Sequence, residues 1–227
     1  MQRNHDRLRA LRLTLPVMCG YLFLGTAFGA VLAQAGFGPV WVLAASTLVY
    51  AGSLQFVLVP MMAAGTSLLT VALTALMVNA RHLFYGLSYI GRFSHMGRLR
   101  PYMIFSLTDE TYSVFCGLSG EESDGVMVRI ALYDQLYWVA GSIVGALLAS
   151  SLPVDLTGID FSMTALFIVI CVERAREHGS RLAMAVGAAC ALVSLALLGP
   201  ERFLAPALAV TALVLTAADV VGKEAAA

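Results

Sequence analysis

Eight apolar segments follow one another along the chain, and only short polar loops separate them. They cover residues 13–35, 40–63, 66–90, 101–118, 129–150, 161–172, 181–198 and 203–221. A helix needs about 20 residues to cross the hydrocarbon core of a bilayer, with a range of about 17 to 25, and most of the segments meet that requirement. The sequence therefore predicts an all-α, polytopic integral membrane helix bundle of about six to eight membrane segments.

The composition argues against the main soluble alternatives. Only 12% of the 227 residues are charged, 59% are apolar, and the mean hydropathy is +0.83. So few charges cannot cover the surface of a soluble fold, which excludes a soluble enzyme and a nucleic-acid-binding protein. The longest polar loops have about ten residues each, so we expect one transmembrane domain over residues 1–227. The first apolar stretch is longer than a signal peptide core of about 7–15 residues, which favours an uncleaved first helix.

The arginines of the loops predict a topology. They cluster in residues 1–13, 91–100 and 173–181. The positive-inside rule places such basic clusters in the cytoplasm. All three, the N-terminus included, lie there if 40–63 and 153–172 are broken, re-entrant segments that return to the side from which they came.

This topology predicts two half-repeats, 13–118 and 129–221, which begin on opposite sides of the membrane and are joined by the acidic loop 119–128 on the outer side. A Gly-x-x-x-Gly pair near the start of each half supports the division. The pairs are Gly25 with Gly29 and Gly141 with Gly145. Inverted pairs with interrupted helices are typical of secondary transporters. Glycines at this spacing also serve simply to pack membrane helices, so both interpretations stay open.

Ionisable side chains inside an apolar segment are costly, by about 2.5–3.5 kcal/mol each on insertion scales, and are candidates for function. One group of this kind consists of Asn79, Arg81 and His82 in the segment 66–90. Arg81 offers a planar fork of five donors that suits carboxylates, and His82 is a candidate proton relay near neutral pH. The alternative is that Arg81 only ties two helices together and that His82 is a hydrogen-bonded packing residue.

A second group is the pair of adjacent carboxylates Asp109 and Glu110 in the segment 101–118. Neighbours on a helix diverge by about 100 degrees, so the two side chains cannot face the same way. We expect one to pair with Arg81 and the other to face a cavity, where it binds a cation or carries a proton. A purely structural role for both carboxylates is the alternative.

The third group interrupts the segment 40–63. Gly52, Ser53 and Gln55 lie in the middle of this apolar segment and favour a break in the helix. Broken backbone is tolerated inside a membrane only where it is buried in protein or lines a cavity. The helix N-terminus after such a break attracts a substrate carboxylate. The alternative is a packing kink with a hydrogen-bonded Gln55.

Weaker signals lie in the second half. Asp134 near the start of the segment 129–150 is expected to line a vestibule, Trp138 suits an anchor at the membrane interface, and Asp160 suits a helix cap. The sequence has no G-x-x-x-x-G-K-[ST] loop and no H-E-x-x-H motif, and its four cysteines are too scattered for a zinc site. We therefore expect no enzyme activity, no cofactor and no metal.

The three groups, in this order along the chain, resemble the AzlC family, the large subunit of branched-chain amino-acid exporters in bacteria. The resemblance covers roughly residues 20–170 and rests on Gly25 to Gly29, Ala51 to Phe56, Asn79 to His82, Thr108 to Thr111, and Gly158 to Phe161. Two positions of the third group depart from the family pattern, because Tyr50 and Leu54 stand where the family has phenylalanine and alanine.

The resemblance implies a secondary transporter that exports branched-chain amino acids or close analogues across the bacterial inner membrane, with a separately encoded, small AzlD-like membrane subunit. A zwitterion needs a cationic or helix-end site, an anionic site and an apolar wall. The expected substrate-binding residues are Gly52, Ser53, Gln55, Asn79, Arg81, Asp109 and Glu110, and the candidates for proton coupling are His82, Asp109 and Glu110. The alternative is a non-transporting membrane scaffold whose buried charges serve partner binding.

Overall fold

The computed structural model consists of two compact units, Met1–Ser162 and Met163–Ala227. It describes residues 2–118, 122–151, 168, 172, 181–199, 203, 206–207, 209–211 and 213–217. The predicted re-entrant segment 153–172, with Gly158 and Asp160, lies outside the described residues except for positions 168 and 172. Whether the chain forms one domain or two half-repeats stays a prediction.

Every regular element in the described part is a helix. The elements are α1 (Gln2–Gln34), α2 (Pro39–Ala44), a π-helical segment (Ala45–Val49), α3 (Gly52–Ala63), α4 (Leu68–Val78), α5 (Ala80–Ser94), a 3₁₀ turn (Gly97–Leu99), α6 (Arg100–Phe105), α7 (Asp109–Cys116), α8 (Asp124–Ser151) and α9 (Arg181–Leu198). Within the described residues, His5–Gln34 of α1, α8 and α9 are long and apolar enough to cross a membrane. The predicted all-α membrane helix bundle is confirmed.

Helices α1 and α8 pack closely along their length because glycines remove the side chains between them. A Cβ atom at Gly25 would lie 2.8 Å from the Trp138 carbonyl oxygen, and one at Gly29 would overlap the Ser142 carbonyl. In the other direction, a Cβ atom at Gly145 would overlap the Thr26 carbonyl. The two Gly-x-x-x-Gly pairs therefore pack against each other, as such pairs do in membrane helix dimers.

The same contacts give the relative direction of the two helices. Gly25 meets Trp138, and Gly29, four residues further on, meets Ser142, so α1 and α8 run parallel. The expectation that the two halves begin on opposite sides was wrong for these helices, because both begin at the same end of the bundle. The Gly-x-x-x-Gly pairs of α1 and α8 resemble each other because the two helices use them to pack against each other.

Residues 39–63 form the first hairpin, which contains α2, the π-helical segment and α3. Its chain breaks at Tyr50, which has left-handed backbone angles (φ 38°, ψ 50°). Trp41 at the start of this hairpin and Met62 near its end line one cavity together with Leu32 near the end of α1. The hairpin thus returns to the end of the bundle where it began, so the segment 40–63 is broken, and its re-entry into the membrane stays a prediction.

Residues 97–116 form the second hairpin, in which α6 and α7 are separated by a break at 106–108. The expectation of one crossing helix over 101–118 was wrong. The Thr108 side chain accepts a hydrogen bond from the Thr111 backbone N–H at 3.4 Å, so it caps α7 and makes a new helix start there. On α7, the Tyr112 ring stacks on Tyr85 of α5 at 4.4 Å between ring centroids.

Ion pairs on either side of the second hairpin show at which end of the bundle it begins and ends. Arg92 at the end of α5 donates to the Glu122 carbonyl at 2.6 Å and lies 2.8 Å from Asp124 Oδ1. Arg9 of α1 pairs with the Glu122 carboxylate, and Arg129 lies 3.5 Å from Asp6. The acidic loop therefore lies at the same end as the N-terminus and Arg92, and the prediction that it lies on the side opposite the N-terminus was wrong.

The two hairpins enter the first unit from opposite ends and meet inside it. The rings of Tyr50, at the break of the first hairpin, and Phe105, at the break of the second, have centroids 6.1 Å apart. Contacts with α1 and α8 hold both breaks in place. This meeting of two interrupted helices positions the candidate site.

The second unit is described mainly through α9. Its side chains are largely exposed, and Ser194 is buried. Gly187 faces Thr211, whose hydroxyl donates to the Ala207 carbonyl at 2.7 Å. The predicted segment 181–198 forms this helix, with the expected bounds.

Candidate functional site

A chain of hydrogen bonds links α1, α7 and α8 beside the two breaks. The Tyr21 hydroxyl of α1 lies 2.7 Å from the Thr108 hydroxyl and donates to Glu110 Oε2 at 2.7 Å. Thr108 donates to the Thr111 hydroxyl at 3.2 Å, and Thr111 donates to Asp134 Oδ2 at 2.8 Å. Two carboxylates, from different helices, thus belong to one network.

Asp134 is fully buried, with an exposed fraction of 0%. Its Oδ1 atom makes no hydrogen bond with any described residue. Asp134 lies ten residues after the start of α8, which is about 15 Å at a rise of 1.5 Å per residue. The expected position in a vestibule assumed a span that begins at residue 129, whereas α8 begins at Asp124. Counting from Asp124, where the helix begins, would have identified it as a deeply buried carboxylate.

Trp138 lies one turn beyond Asp134 and is buried, so the expected interfacial anchor was wrong. Its ring meets the Tyr21 ring edge-on at 5.3 Å and stacks on Phe28 at 6.0 Å. A Cβ atom at Gly52 would lie 3.0 Å from the ring carbon Cη2. Gly52 therefore lets the start of α3 approach this tryptophan, and Trp138 joins the first hairpin to the Tyr21 network.

The predicted residues of the first hairpin lie in the first turns of α3. The helix begins at Gly52, Ser53 is buried, and Gln55 is only 1% exposed. Neither Oε1 nor Nε2 of Gln55 makes a hydrogen bond with a described residue. Gln55 N donates to the Ala51 carbonyl at 2.8 Å, so the three preceding backbone N–H groups have no intrahelical acceptor.

Asp109 and Glu110 occupy the first turn of α7, where negative charge stabilises a helix. Both side chains are half-buried. Glu110 accepts the Tyr21 hydrogen bond described above. The structure thus gives one predicted carboxylate a partner on α1, which the sequence did not identify.

Asn79, Arg81 and His82 lie where the predicted segment 66–90 divides into α4 and α5. Asn79 is the junction, and its buried Oδ1 atom makes no hydrogen bond with a described residue. The His82 ring meets Tyr85 edge-on at 5.8 Å, and Tyr85 stacks on Tyr112 of α7. This group therefore packs beside the second hairpin. The backbone of Arg81 belongs to α5, its side chain lies outside the described residues, and its pairing with a carboxylate stays a prediction.

Several buried polar atoms around the two breaks make no hydrogen bond within the described part of the chain. They are the amide of Gln55, Asn79 Oδ1, Ser106 Oγ, Asp134 Oδ1 and Trp138 Nε1. Buried polar groups in native structures are almost always hydrogen-bonded to protein or water, and exceptions call for an explanation such as a bound molecule. These atoms belong to α3, α8, the junction at Asn79 and the break at 106–108, and they are the candidates for contact with a bound polar molecule.

The chain matches a protein-family model, described as AzlC protein, over residues 16–152. The chain belongs to the AzlC family. The matched region contains α1 from Pro16 onward, both hairpins and α8, so the candidate site lies within the part that matches the family model. The predicted family is confirmed.

Three relatives illustrate this AzlC membership. The branched-chain amino acid transport protein AzlC of Bacillus subtilis is 34% identical over 198 residues, which are 86% of this chain and 78% of that protein. An uncharacterized membrane protein of Helicobacter pylori strain J99 is 37% identical over 218 residues, 93% and 96% of the two chains. Inner membrane protein YgaZ of Escherichia coli is 32% identical over 167 residues, 68% and 67%. No solved structure matches the chain. The chain is therefore a membrane protein with a role in transport.

Proposed function

We propose that this AzlC-family chain is a secondary transporter that exports branched-chain amino acids or close analogues across the bacterial inner membrane. The observation that carries the proposal is the meeting of two oppositely directed hairpins beside buried carboxylates. Interrupted helices at the centre of a membrane protein are the usual site of substrate in secondary transporters. The printed name of the relative from Bacillus subtilis, a branched-chain amino acid transport protein, supports the substrate class.

The charges of the site suit an amino-acid zwitterion. The backbone N–H groups at the start of α3 bind the substrate carboxylate, because a helix N-terminus attracts anions and the first turn of α3 carries no acidic residue. The substrate ammonium group binds to Glu110 and to Asp134 Oδ1, which lie in one hydrogen-bond network. Asn79, Arg81 and Asp109 complete the site, with Arg81 as a second partner for the carboxylate.

Transport proceeds by alternating access, with one hairpin opening the site to each side. This follows from their opposite directions and from the contact of Tyr50 with Phe105 at their tips. Exchange of substrate for protons uses Asp109, Glu110 or His82, because ionisable groups inside a membrane carry protons in many pumps and transporters.

The chain lies in the inner membrane with its N-terminus in the cytoplasm and works with a small AzlD-like membrane subunit. The orientation is supported by the positive-inside rule, since the arginines of the N-terminus and of the 91–100 loop lie at one end of the bundle. Substrate and membrane lipid are the other partners.

Efflux of amino acids from living cells tests the proposal. Cells loaded with dipeptides of isoleucine, leucine, valine and methionine are compared with and without this chain, and with and without the gene of the small subunit. Asp109→Asn and Glu110→Gln are measured beside the unaltered chain at equal membrane levels. We expect faster efflux of the branched-chain amino acids that requires both subunits and falls at least tenfold in one or both variants.

Efflux that is unchanged in both carboxylate variants would contradict proton exchange through these groups. Failure to export any of the four amino acids, with a stable complex in the membrane, would contradict the substrate class. It would favour the alternative of a membrane scaffold, in which loss of Arg81 abolishes assembly.

A further inference from the structure

The hydrogen-bond network between Glu110 and Asp134 has more contacts than hydrogens. The path between the two carboxyl groups consists of three hydroxyl groups, which belong to Tyr21, Thr108 and Thr111. It makes four oxygen–oxygen contacts, of 2.7, 2.7, 3.2 and 2.8 Å. Each hydroxyl group supplies one hydrogen, which serves one of these contacts at a time. When both carboxyl groups are ionised, one of the four contacts therefore lacks a hydrogen.

The contact that lacks a hydrogen is the one between Tyr21 and Thr108. The Tyr21 hydroxyl donates to Glu110 and the Thr108 hydroxyl donates to Thr111, yet the two hydroxyl oxygens lie 2.7 Å apart. This is the usual distance of an O–H···O hydrogen bond. One further proton on either carboxyl group resolves the conflict, because the hydroxyls on that side then reverse and each contact contains one hydrogen. The network is complete with one added proton.

The burial of Asp134 is a second, independent reason to place a proton here. Its side chain is 0% exposed, and its Oδ1 atom has no hydrogen-bond partner among the described residues. No basic side chain in that part of the chain forms an ion pair with it. A buried charge without a counter-ion is costly, whereas a carboxyl group that has bound a proton is neutral. A proton also needs no cavity, so the closed packing around Asp134 suits a proton better than a larger cation.

The other ionisable groups around the two carboxyl groups do not take the place of this proton. The phenol groups of Tyr50 and Tyr102 lie near Asp134, and the phenol of Tyr50 also lies near Glu110. Phenol groups are uncharged at neutral pH. Asp109 lies beside Glu110 in the first turn of α7 and is itself acidic. None of these groups supplies a positive charge.

We propose that the network binds one proton when no substrate is bound, that its hydroxyls carry this proton between Asp134 and Glu110, and that the substrate ammonium group displaces it. The inference rests on the proposed function and gives it a ratio of one proton per amino acid. Helix α5 places Arg81 and His82 beside the second hairpin. A pairing of Arg81 with Glu110 leaves the proton at the Asp134 end of the same network.

Transfer along the network conserves every hydrogen. The proton on Asp134 passes to the Thr111 oxygen, and Thr111 gives its own hydrogen to Thr108. Thr108 gives its hydrogen to Tyr21, and Tyr21 gives its hydrogen to Glu110. Each hydroxyl group ends with one hydrogen, and one positive charge has moved from one carboxyl group to the other.

Competition for the two carboxyl groups couples the proton to the substrate. The ammonium group binds carboxylates in their ionised form, so the network does not hold the ammonium group and the proton together. An empty site with both carboxyl groups ionised has a buried charge without a counter-ion and a contact without a hydrogen. The site therefore returns across the membrane either with substrate or with the proton, which is the requirement for exchange.

The test uses the complete exporter, this chain with its small subunit, in proteoliposomes that contain a pH-sensitive dye. Two fluxes are measured in the same preparation, leucine transport driven by a pH gradient and exchange of labelled for unlabelled leucine at equal pH. Only the first flux requires the proton, because in the second the site returns with substrate in both directions. We expect leucine and protons to move in opposite directions at a ratio of one to one.

Two variants remove one hydroxyl group each and keep both carboxyl groups. They are Thr111→Val and Tyr21→Phe. Proton transfer through positioned groups contributes about 10²- to 10⁴-fold to rates, so the ratio of proton-driven flux to leucine exchange should fall by about 100-fold or more. Thr111→Ser retains a hydroxyl group and should restore the ratio. Thr47→Val, the same change at an exposed position of the first hairpin, should keep the ratio of the unaltered chain.

Each other outcome overturns the inference in a recognisable way. If both fluxes fall by one common factor in the two variants, the hydroxyl groups serve substrate binding or packing. If both variants keep the proton-driven flux, or if the unaltered chain moves leucine at a different proton ratio, the network does not hold one coupled proton. Leucine still moves in these cases, so the proposed export of branched-chain amino acids stands. An unaltered exporter that moves no leucine would contradict the proposed function, and this inference would fail with it.

Discussion

The first hairpin, 39–63, and the second hairpin, 97–116, share a backbone design, because each breaks midway and starts a new helix at the break. Their chemistry differs. The first carries no charged residue and begins α3 with Gly52, whereas the second begins α7 with Asp109 and Glu110. A helix N-terminus that carries its own carboxylates is already compensated, and one without them is free to attract an anion.

This difference gives the site a direction. The uncharged hairpin offers backbone N–H groups and the Gln55 amide, while the second hairpin and α8 offer carboxylates. In the proposed function, a zwitterion binds in one orientation, with its carboxylate toward α3 and its ammonium group toward Glu110 and Asp134. Two similar breaks, of which only the second carries carboxylates, thus suit the proposed amino-acid substrate better than two identical ones.

The largest effect is expected from disrupting the contact between α1 and α8, the two helices that hold both hairpins. Gly29→Leu places a side chain where the Ser142 carbonyl of α8 lies. Overpacking costs about 1–3 kcal/mol even where side chains can move, and here backbone must separate. We expect most of the folded protein to disappear from membranes, measured by size-exclusion chromatography of a fluorescent fusion. Gly20→Leu, on the same helix with nothing within 4 Å, is the matched control, and equal yields of the two variants would contradict the packing argument.

The next effect concerns the carboxylate side of the site. Asp134→Asn keeps the shape of the side chain and an acceptor for Thr111 but removes the charge that faces the substrate ammonium group. Hydrogen bonds to charged groups contribute about 1.5–3 kcal/mol, so initial transport rates at low substrate concentration should fall roughly 10- to 100-fold. Asp124→Asn, which removes an exposed ion-pair partner of Arg92, should change the rate by less than about fivefold. Equal effects of the two would show that Asp134 has no special role.

A third prediction makes the first hairpin resemble the second. Ser53→Asp puts a carboxylate in the first turn of α3, where it competes with the substrate carboxylate for the helix N-terminus. Interactions of charges with helix ends contribute about 0.3–2 kcal/mol, so KM should rise roughly tenfold. Ser67→Asp adds the same charge at the exposed start of α4 and should leave KM unchanged. An unaltered KM in Ser53→Asp would remove α3 as the carboxylate site.

The smallest effect is expected from the cap of the second hairpin. Thr108→Ala removes both the side-chain acceptor for the Thr111 N–H and the hydrogen bond with Tyr21. Loss of an N-cap costs about 0.5–2 kcal/mol, so thermal unfolding in detergent should begin a few degrees lower. Ser67→Ala removes an exposed cap, at which Thr70 N donates at 3.3 Å, and should cost less because water replaces the acceptor. The reverse order would indicate that the Thr108 network does not hold α7.

Individual residues show how far the sequence could predict this site. The break at Gly52 and the carboxylates at Asp109 and Glu110 were predicted from polar residues inside apolar segments, whereas the junction at Asn79, which divides the predicted segment 66–90, was not predicted. Asp134, Tyr21 and Trp138 were missed as site residues. A tyrosine or tryptophan in an apolar helix looks the same in sequence whether it faces lipid or a buried carboxylate, and only the partner helix distinguishes the two.

The sequence by itself determined that the chain is a helical membrane protein, that the segment 40–63 is broken and which residues inside the apolar segments are ionisable. Hydropathy and the local preferences of glycine, serine and threonine act over one or two turns, so they can be read without knowing the fold. The tertiary structure decided that α1 and α8 run parallel, that 101–118 turns back and that Glu122 lies beside Arg9 and Arg92. A crossing helix and a re-entrant hairpin bury similar apolar residues, and only contacts between residues far apart in the chain separate them.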